Sequence, residues 1–179
     1  MISDSTMPAG TGTTLVLGLG NLLRRDEGLG IRALELLQQR YVLPESVQAV
    51  DGGTLGLELL AYIEGAERII VLDAALTDGP PGTLICLRGD EVPAFLGIRT
   101  SPHEIGLPDL LAVARLRGTS PAEIVLFGMQ PEVIELGWEL SPTVAGNLEK
   151  LVEAVADELV SWGLPMTPME PIPEEVRHA

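Results

Sequence analysis

Four side chains with the chemistry of an active site fall in turns of the predicted structure: Glu27, Asp51, Asp73 and His103. Two of these carboxylates together with the imidazole, without a thiolate, would suit a divalent metal of hard to borderline character. Three protein ligands would leave coordination positions open for water or for groups from a partner. Such a metal could polarise a carbonyl or lower the pKa of bound water. Alternatively, the carboxylates could perform general acid–base catalysis without a resident metal.

Each of these residues also has a structural interpretation. Glu27 could favour the positive end of the following helix. Asp51 could cap a turn or orient the start of the next helix. Asp73 ends an apolar strand, where an acid either faces solvent or binds a ligand, and His103 could be a lone histidine without a ligand. The only other histidine, His178, lies in a proline-rich segment and is interpreted as a bystander.

The elements that must position these residues alternate along the chain. Apolar runs predict five strands: Thr14–Gly18, Val47–Asp51, Arg68–Asp73, Thr83–Arg88 and Glu123–Gly128. Amphipathic patterns predict four helices: Gly28–Tyr41, Thr54–Glu64, Pro102–Arg117 and Pro142–Trp162. Ser101-Pro102 and Ser141-Pro142 are helix-start signals, because serine caps a helix and proline suits its first position.

Alternating strands and helices predict an α/β fold with a largely parallel sheet. The turn Pro80–Gly82 precedes Thr83–Arg88, which could be an antiparallel strand at the edge. Ligands of open parallel sheets bind outside the carboxyl ends of the strands. The sequence therefore predicts that the acids and His103 share one edge of the sheet.

Composition bounds the remaining organisation. The 179 residues fit one domain, which we expect at 13–162, between a disordered segment at 1–12 and a proline-rich tail at 163–179. The net charge of -15 argues against binding to nucleic acid or an anionic membrane. No apolar run reaches the ~18 residues of a membrane span. The single cysteine, Cys86, excludes an intrachain disulfide, so we expect a cytoplasmic protein. The acidic composition and the lack of an obvious oligomerisation segment favour a monomer.

Several common enzyme classes lack their motifs in this chain. The turn Gly18–Leu23 has no third glycine of a dinucleotide fingerprint, and the carboxylates that follow it would repel phosphate. The only lysine is Lys150, so there is no phosphate-binding loop lysine, and no Gly-x-Ser-x-Gly elbow of a serine hydrolase occurs. Cys86 lies within an apolar run and is interpreted as a small buried hydrophobic residue.

The ordered set of motifs resembles the hydrogenase maturation endopeptidases, the nickel-dependent processing proteases of [NiFe] hydrogenase large subunits. The resemblance covers roughly residues 14–162 and depends on Gly18–Asn21, Asp26–Gly30, Asp51–Thr54, Asp73 and Ser101–His103. It implies a three-layer α/β/α fold with a twisted, mostly parallel five-stranded sheet.

The resemblance also implies an activity, a metal and a partner. The expected reaction is one endoproteolytic cut that removes the C-terminal extension of a large-subunit precursor after nickel insertion. Glu27, Asp73 and His103 would contact the nickel, which the substrate supplies, and Asp51 matches a further acid implicated in activity. Catalytic roles are thus expected for Asp51, Glu27 and Asp73. An alternative is a non-catalytic nickel metallochaperone that docks on the large subunit with the same ligands.

Overall fold

The structure is a computed structural model that describes residues 12–53, 55–97 and 106–169. A five-stranded sheet has the spatial order β3-β1-β4-β6-β5. Its strands are β1 (Thr14–Gly18), β3 (Val47–Asp51), β4 (Arg68–Ala74), β5 (Leu84–Arg88) and β6 (Glu123–Met129). The strands β1, β3, β4 and β6 are parallel, whereas β5 is antiparallel to β6 at one edge. The mostly parallel sheet and its antiparallel edge strand are therefore confirmed.

Helices cover both faces of the sheet. They are α1 (Leu29–Arg40), α2 (Leu59–Gly65), α3 (Glu91–Gly97), α4 (Leu107–Arg117) and α5 (Pro142–Ser161), with 3₁₀ turns at Arg25–Gly28 and Gly56–Glu58. One apolar cluster joins the sheet to α1 and α5, and a second joins the other face to α2, α3 and α4. Alternate residues of β4 belong to the two clusters, as expected for a strand buried on both faces. The predicted α/β/α architecture is confirmed.

Two helix boundaries differ from the sequence prediction. The segment predicted as a helix from Thr54 begins with the 3₁₀ turn Gly56–Glu58 before α2. The helix predicted from Pro102 begins at Leu107, because Gly106 has an extended backbone and caps it. The Asp109 carboxylate accepts the Gly106 N–H at 2.9 Å, which satisfies a donor at the helix start. The cap predicted at Ser101 lies outside the described residues.

Three short elements were not predicted. Helix α3 follows the edge strand, and the two-residue strands β2 (Tyr41–Val42) and β7 (Thr167–Pro168) pair antiparallel after α1 and α5. Cys86 was predicted to be buried, and this prediction is wrong, because β5 is an edge strand and its cysteine is exposed. No helix in the described ranges combines the length and the apolar character needed to cross a bilayer.

Candidate active site

The turn between β1 and α1 places Glu27 at the carboxyl edge, the edge of the sheet where the parallel strands end. Gly20 has φ 126°, a backbone conformation that side chains disfavour. A Cβ at this position would lie 1.9 Å from the backbone oxygen of Glu27. Asn21 N–H also donates to that oxygen at 3.2 Å. Glycine at position 20 thus lets the chain fold back directly on the turn that carries Glu27.

A second close approach joins this turn to β4. A Cβ on Gly30 would lie 2.1 Å from the backbone oxygen of Leu72 and 2.4 Å from that of Leu19. The first turn of α1 therefore packs on the backbone of β4 one residue before Asp73. This contact brings the elements that carry Glu27 and Asp73 together at the carboxyl edge, as the sequence predicted.

The carboxylate of Glu27 has one oxygen in an unusual state. Its Oε2 atom is buried and accepts no hydrogen bond from any described residue. The guanidinium of Arg24 lies 2.9 Å from it, which makes an ion pair by distance without the alignment of a hydrogen bond. The two side chains are 47% and 32% exposed, and such ion pairs contribute only about 0–1 kcal/mol. A cation that binds the Glu27 carboxylate more tightly could displace Arg24, because little binding free energy would be lost with the ion pair.

Asp51 forms the local turn that its structural interpretation predicts. Its Oδ1 atom accepts the Gly53 N–H at 2.9 Å, which closes an Asx turn at the end of β3. Gly53 in turn packs on the β1 turn, since a Cβ there would lie 2.6 Å from the backbone oxygen of Gly20. The Asp51 side chain remains exposed at the carboxyl edge.

Strand alternation separates Asp51 from Asp73. Gly18 of β1 pairs with Asp51 on one side and with Leu72 on the other, so the two acids lie two strands apart, about 10 Å across the sheet. Ala49 belongs to the apolar cluster under α1 and α5, and Val71 belongs to the cluster on the opposite face. By alternation, Asp51 and Asp73 therefore point to opposite faces.

The described part of the chain contains two of the three predicted metal ligands. His103 lies outside the described residues, as does Thr54 of the loop after Asp51. Among described side chains, no group of three or more His, Cys, Asp or Glu is arranged to hold a metal ion. The acids Glu27, Asp51 and Asp73 thus do not form a three-carboxylate site by themselves, and a third ligand would have to come from elsewhere.

Asp26 is a key residue of this region that sequence reasoning missed. Its side chain is fully buried, and its carboxylate accepts N–H groups of Glu132 at 2.9 Å, Val133 at 2.8 Å and Ser141 at 2.7 Å. The Ser141 hydroxyl donates a fourth hydrogen bond at 2.8 Å. Burial raises the pKa of Asp26, but the hydrogen bonds from Ser141, Val133 and Glu132 together outweigh it and hold the pKa below its ordinary value.

The sequence and the fold of the chain are similar to those of named proteins. A family model described as hydrogenase maturation protease matches residues 31–158, which is most of the chain. The chain belongs to the hydrogenase maturation protease family. The resemblance read from the motifs is thereby confirmed, and the protease is favoured over the metallochaperone.

The alignment with this protease covers nearly the full length of several relatives. The hydrogenase 2 maturation protease of Escherichia coli (strain K12) is 42% identical over 159 residues, 88% of this chain and 97% of the relative. The solved structure of the hydrogenase-maturating endopeptidase HybD from E. coli gives a TM-score of 0.83 at 41% identity, covering 87% of this chain and 97% of that one. A [NiFe] hydrogenase maturation protease, HybD from Thermococcus kodakarensis, gives 0.61 at 30% identity, covering 82% and 98%.

Proposed function

We propose that this protease removes the C-terminal extension of a [NiFe] hydrogenase large-subunit precursor after nickel insertion, and that it recognises the inserted nickel. Family membership supports a protease in hydrogenase maturation, and one relative is described as acting in the [NiFe] class. The observation that carries the proposal is the buried Oε2 atom of Glu27, which lacks a hydrogen-bond donor among the described residues. A buried acceptor without a hydrogen-bond donor is costly, and among the described residues the ion pair with Arg24 offsets that cost, so the position favours a cation.

The nickel in this proposal belongs to the substrate. Glu27, Asp73 and His103 would contact it, because carboxylate and imidazole groups suit a borderline divalent ion. Arg24 occupies the cation position beside Glu27 and would be displaced. Weak binding by two carboxylates and one imidazole suits this role, since a protease that bound nickel tightly would compete with the hydrogenase for it. A precursor without nickel would then lack the contact that positions it for cleavage.

Two alternatives remain for activation of the attacking water. The nickel could lower the pKa of a bound water, or Asp51 could act as the general base. The variant Asp51→Asn separates them, because asparagine keeps the side-chain oxygen that closes the Asx turn with Gly53. A rate loss of about 100-fold or more with an unchanged fold would assign the general base to Asp51. A wild-type rate would mean that Asp51 only closes the Asx turn and is not the general base.

The direct test is incubation of the large-subunit precursor with the protease, with and without nickel, followed by intact-mass measurement. We expect a shortened large subunit only with the nickel-loaded precursor. The variant His103→Ala should abolish processing while leaving the fold intact, because it removes the imidazole ligand. The matched control is His178→Ala, which changes the other histidine and should process the precursor like the wild type.

Three results would contradict the proposal. Equal cleavage of nickel-free and nickel-loaded precursor would exclude recognition of the metal. Processing by His103→Ala at the wild-type rate would exclude this histidine as a nickel contact. An unchanged large-subunit mass under all conditions would exclude the cleavage itself.

A further inference from the structure

An apolar patch lies beside Glu27 and has no role in the chemistry proposed above. It consists of Leu23, Leu136 and Trp138, which are 49%, 85% and 66% exposed. Gly137 N–H donates to the Leu23 oxygen at 3.0 Å, and Arg25 N–H donates to the Gly137 oxygen at 3.0 Å. These bonds place the backbone of 136–138 alongside that of 23–25. Single exposed apolar side chains are ordinary, whereas a cluster with an exposed tryptophan indicates a binding surface.

Loop 131–141, which carries Leu136 and Trp138, is held in place by the buried side chain of Asp26. The buried Asp26 carboxylate accepts N–H groups from both ends of loop 131–141, at Glu132, Val133 and Ser141. Asp26 N–H also donates to the Val133 oxygen at 3.2 Å. The loop is therefore attached to the 3₁₀ turn of Glu27 by a buried, hydrogen-bonded carboxylate.

Arg25 reinforces this attachment in a strained conformation. Its φ of 49° makes it the only non-glycine with positive φ in the described ranges, which costs about 1–3 kcal/mol. Its side chain donates to the Glu139 oxygen at 3.1 Å and pairs with the Glu135 carboxylate at 3.1 Å. Strain of this kind persists only where the surroundings fix the backbone. The patch is thus presented on a preorganised loop, which lowers the entropic cost of binding.

The charges around the patch indicate the partner's chemistry. Arg24 and Arg25 are already paired with Glu27 and Glu135. Glu132 and Glu139 of the loop are exposed, and the chain carries a net charge of -15. A complementary partner surface is therefore apolar at its centre and basic around it.

From this geometry we infer that the patch of Leu23, Leu136 and Trp138 docks the folded body of the hydrogenase large-subunit precursor and sets the cleavage site over Glu27. This inference rests on the proposed function. Its support is that the patch is continuous with the turn of Glu27: Leu23 is four residues before Glu27, and Glu27 N–H donates to the Arg24 oxygen at 3.1 Å. The patch and the turn that carries Glu27 therefore belong to one hydrogen-bonded surface. Trp138 is its anchor, because tryptophan dominates the binding energy of such surfaces.

The kinetic test compares Trp138→Ala and Leu136→Ser with a matched control, Leu116→Ser. Leu116 is 89% exposed on α4, outside the patch. With nickel-loaded precursor as substrate and intact mass as the readout, Trp138→Ala should raise KM about 30-fold, as expected for a hot spot, with kcat changed less than about threefold. Leu136→Ser should raise KM to a smaller extent, and Leu116→Ser should match the wild type. An unchanged KM in Trp138→Ala overturns the inference.

A second measurement separates docking from cleavage. Hydroxyl-radical footprinting read by mass spectrometry reports the exposure of the chain's two tryptophans, Trp138 and Trp162. Addition of the precursor should protect Trp138 several-fold and leave Trp162 unchanged. Protection without any cleavage would refute the proposed protease activity on this precursor while the docking surface stands. Cleavage without protection would refute the docking surface alone. Protection of Trp138 that depends on protease concentration without precursor would make the patch a contact between copies of this chain and overturn the inference.

Discussion

At the scale of single residues, Asp26 shows how a buried charge can fix distant parts of a chain. The Asp26 carboxylate accepts every hydrogen bond that its side chain makes, from three N–H groups and one hydroxyl. A neutral side-chain amide could not accept all of them, because one of its two polar atoms is a donor. The Ser141 that Asp26 contacts is the N-cap of α5, so the Asp26 charge also lies at the positive end of that helix. The hydrogen bonds and the helix end therefore favour the ionised form against the opposing effect of burial, and they favour this loop geometry with it.

The variant Asp26→Asn tests this account. The amide places an N–H₂ group against N–H donors, so we expect the free energy of unfolding to fall by about 2–4 kcal/mol in urea denaturation at neutral pH. The control Asp157→Asn makes the same change at an exposed position of α5 and should stay within about 0.5 kcal/mol of the wild type. Equal stability of the two variants would refute an anchoring role for Asp26.

The candidate site was predictable where local sequence determines it. Glu27, Asp51 and Asp73 could be placed at the carboxyl edge because each follows a strand that its apolar run identifies. Asp26 could not be recognised, since its partner Ser141 lies 115 residues further along the chain and the hydrogen bonds exist only after folding. The role of His103 stays a prediction, because position 103 lies outside the described residues.

At the scale of elements, the five main strands were predicted within one residue at each end. The central strands β1, β4 and β6 have apolar runs that are buried on both faces, which makes their signal strong. Helix α3 escaped prediction because its seven residues include Pro93 and are too few to show helical periodicity. The strands β2 and β7 have two residues each, so only their pairing with one another defines them.

Two helix glycines provide a prediction about how the elements approach one another. Gly30→Ala should destabilise the protein by more than about 2 kcal/mol, since the new Cβ would collide with backbone oxygens of Leu72 and Leu19 that cannot move freely. Gly146→Ala, in α5, meets nothing within 4 Å and should stabilise it by about 0.5–1 kcal/mol through helix propensity. Urea denaturation measures both. A neutral Gly30→Ala would show that α1 does not rest on β4 as closely as the structure has it.

At the scale of the whole molecule, α5 is attached at both ends by buried carboxylates. Asp26 contacts its N-cap, and Glu158 in its last turns forms two hydrogen bonds with Arg88 of the edge strand β5, at 2.7 and 2.6 Å. The hydrogen bonds from Arg88 lower the pKa of Glu158, outweighing the opposing effect of burial. The helix thus connects the carboxyl edge to the free edge of the sheet.

This arrangement predicts how stability depends on pH. Because the folded-state pKa values of Asp26 and Glu158 are lowered, their contributions are complete above the unfolded-state values near pH 4 and are lost as pH falls below them. We expect the free energy of unfolding, measured in urea between pH 7 and pH 3, to drop in this range. Glu158→Gln should reduce the slope by up to about 1.4 kcal/mol per pH unit and should lower stability at pH 7. Glu149 lies on the same helix as Glu158 and forms an exposed ion pair with Arg40 of α1, so Glu149→Gln should keep the wild-type slope. Identical slopes for the two variants would mean that the buried Glu158 carboxylate does not control acid unfolding.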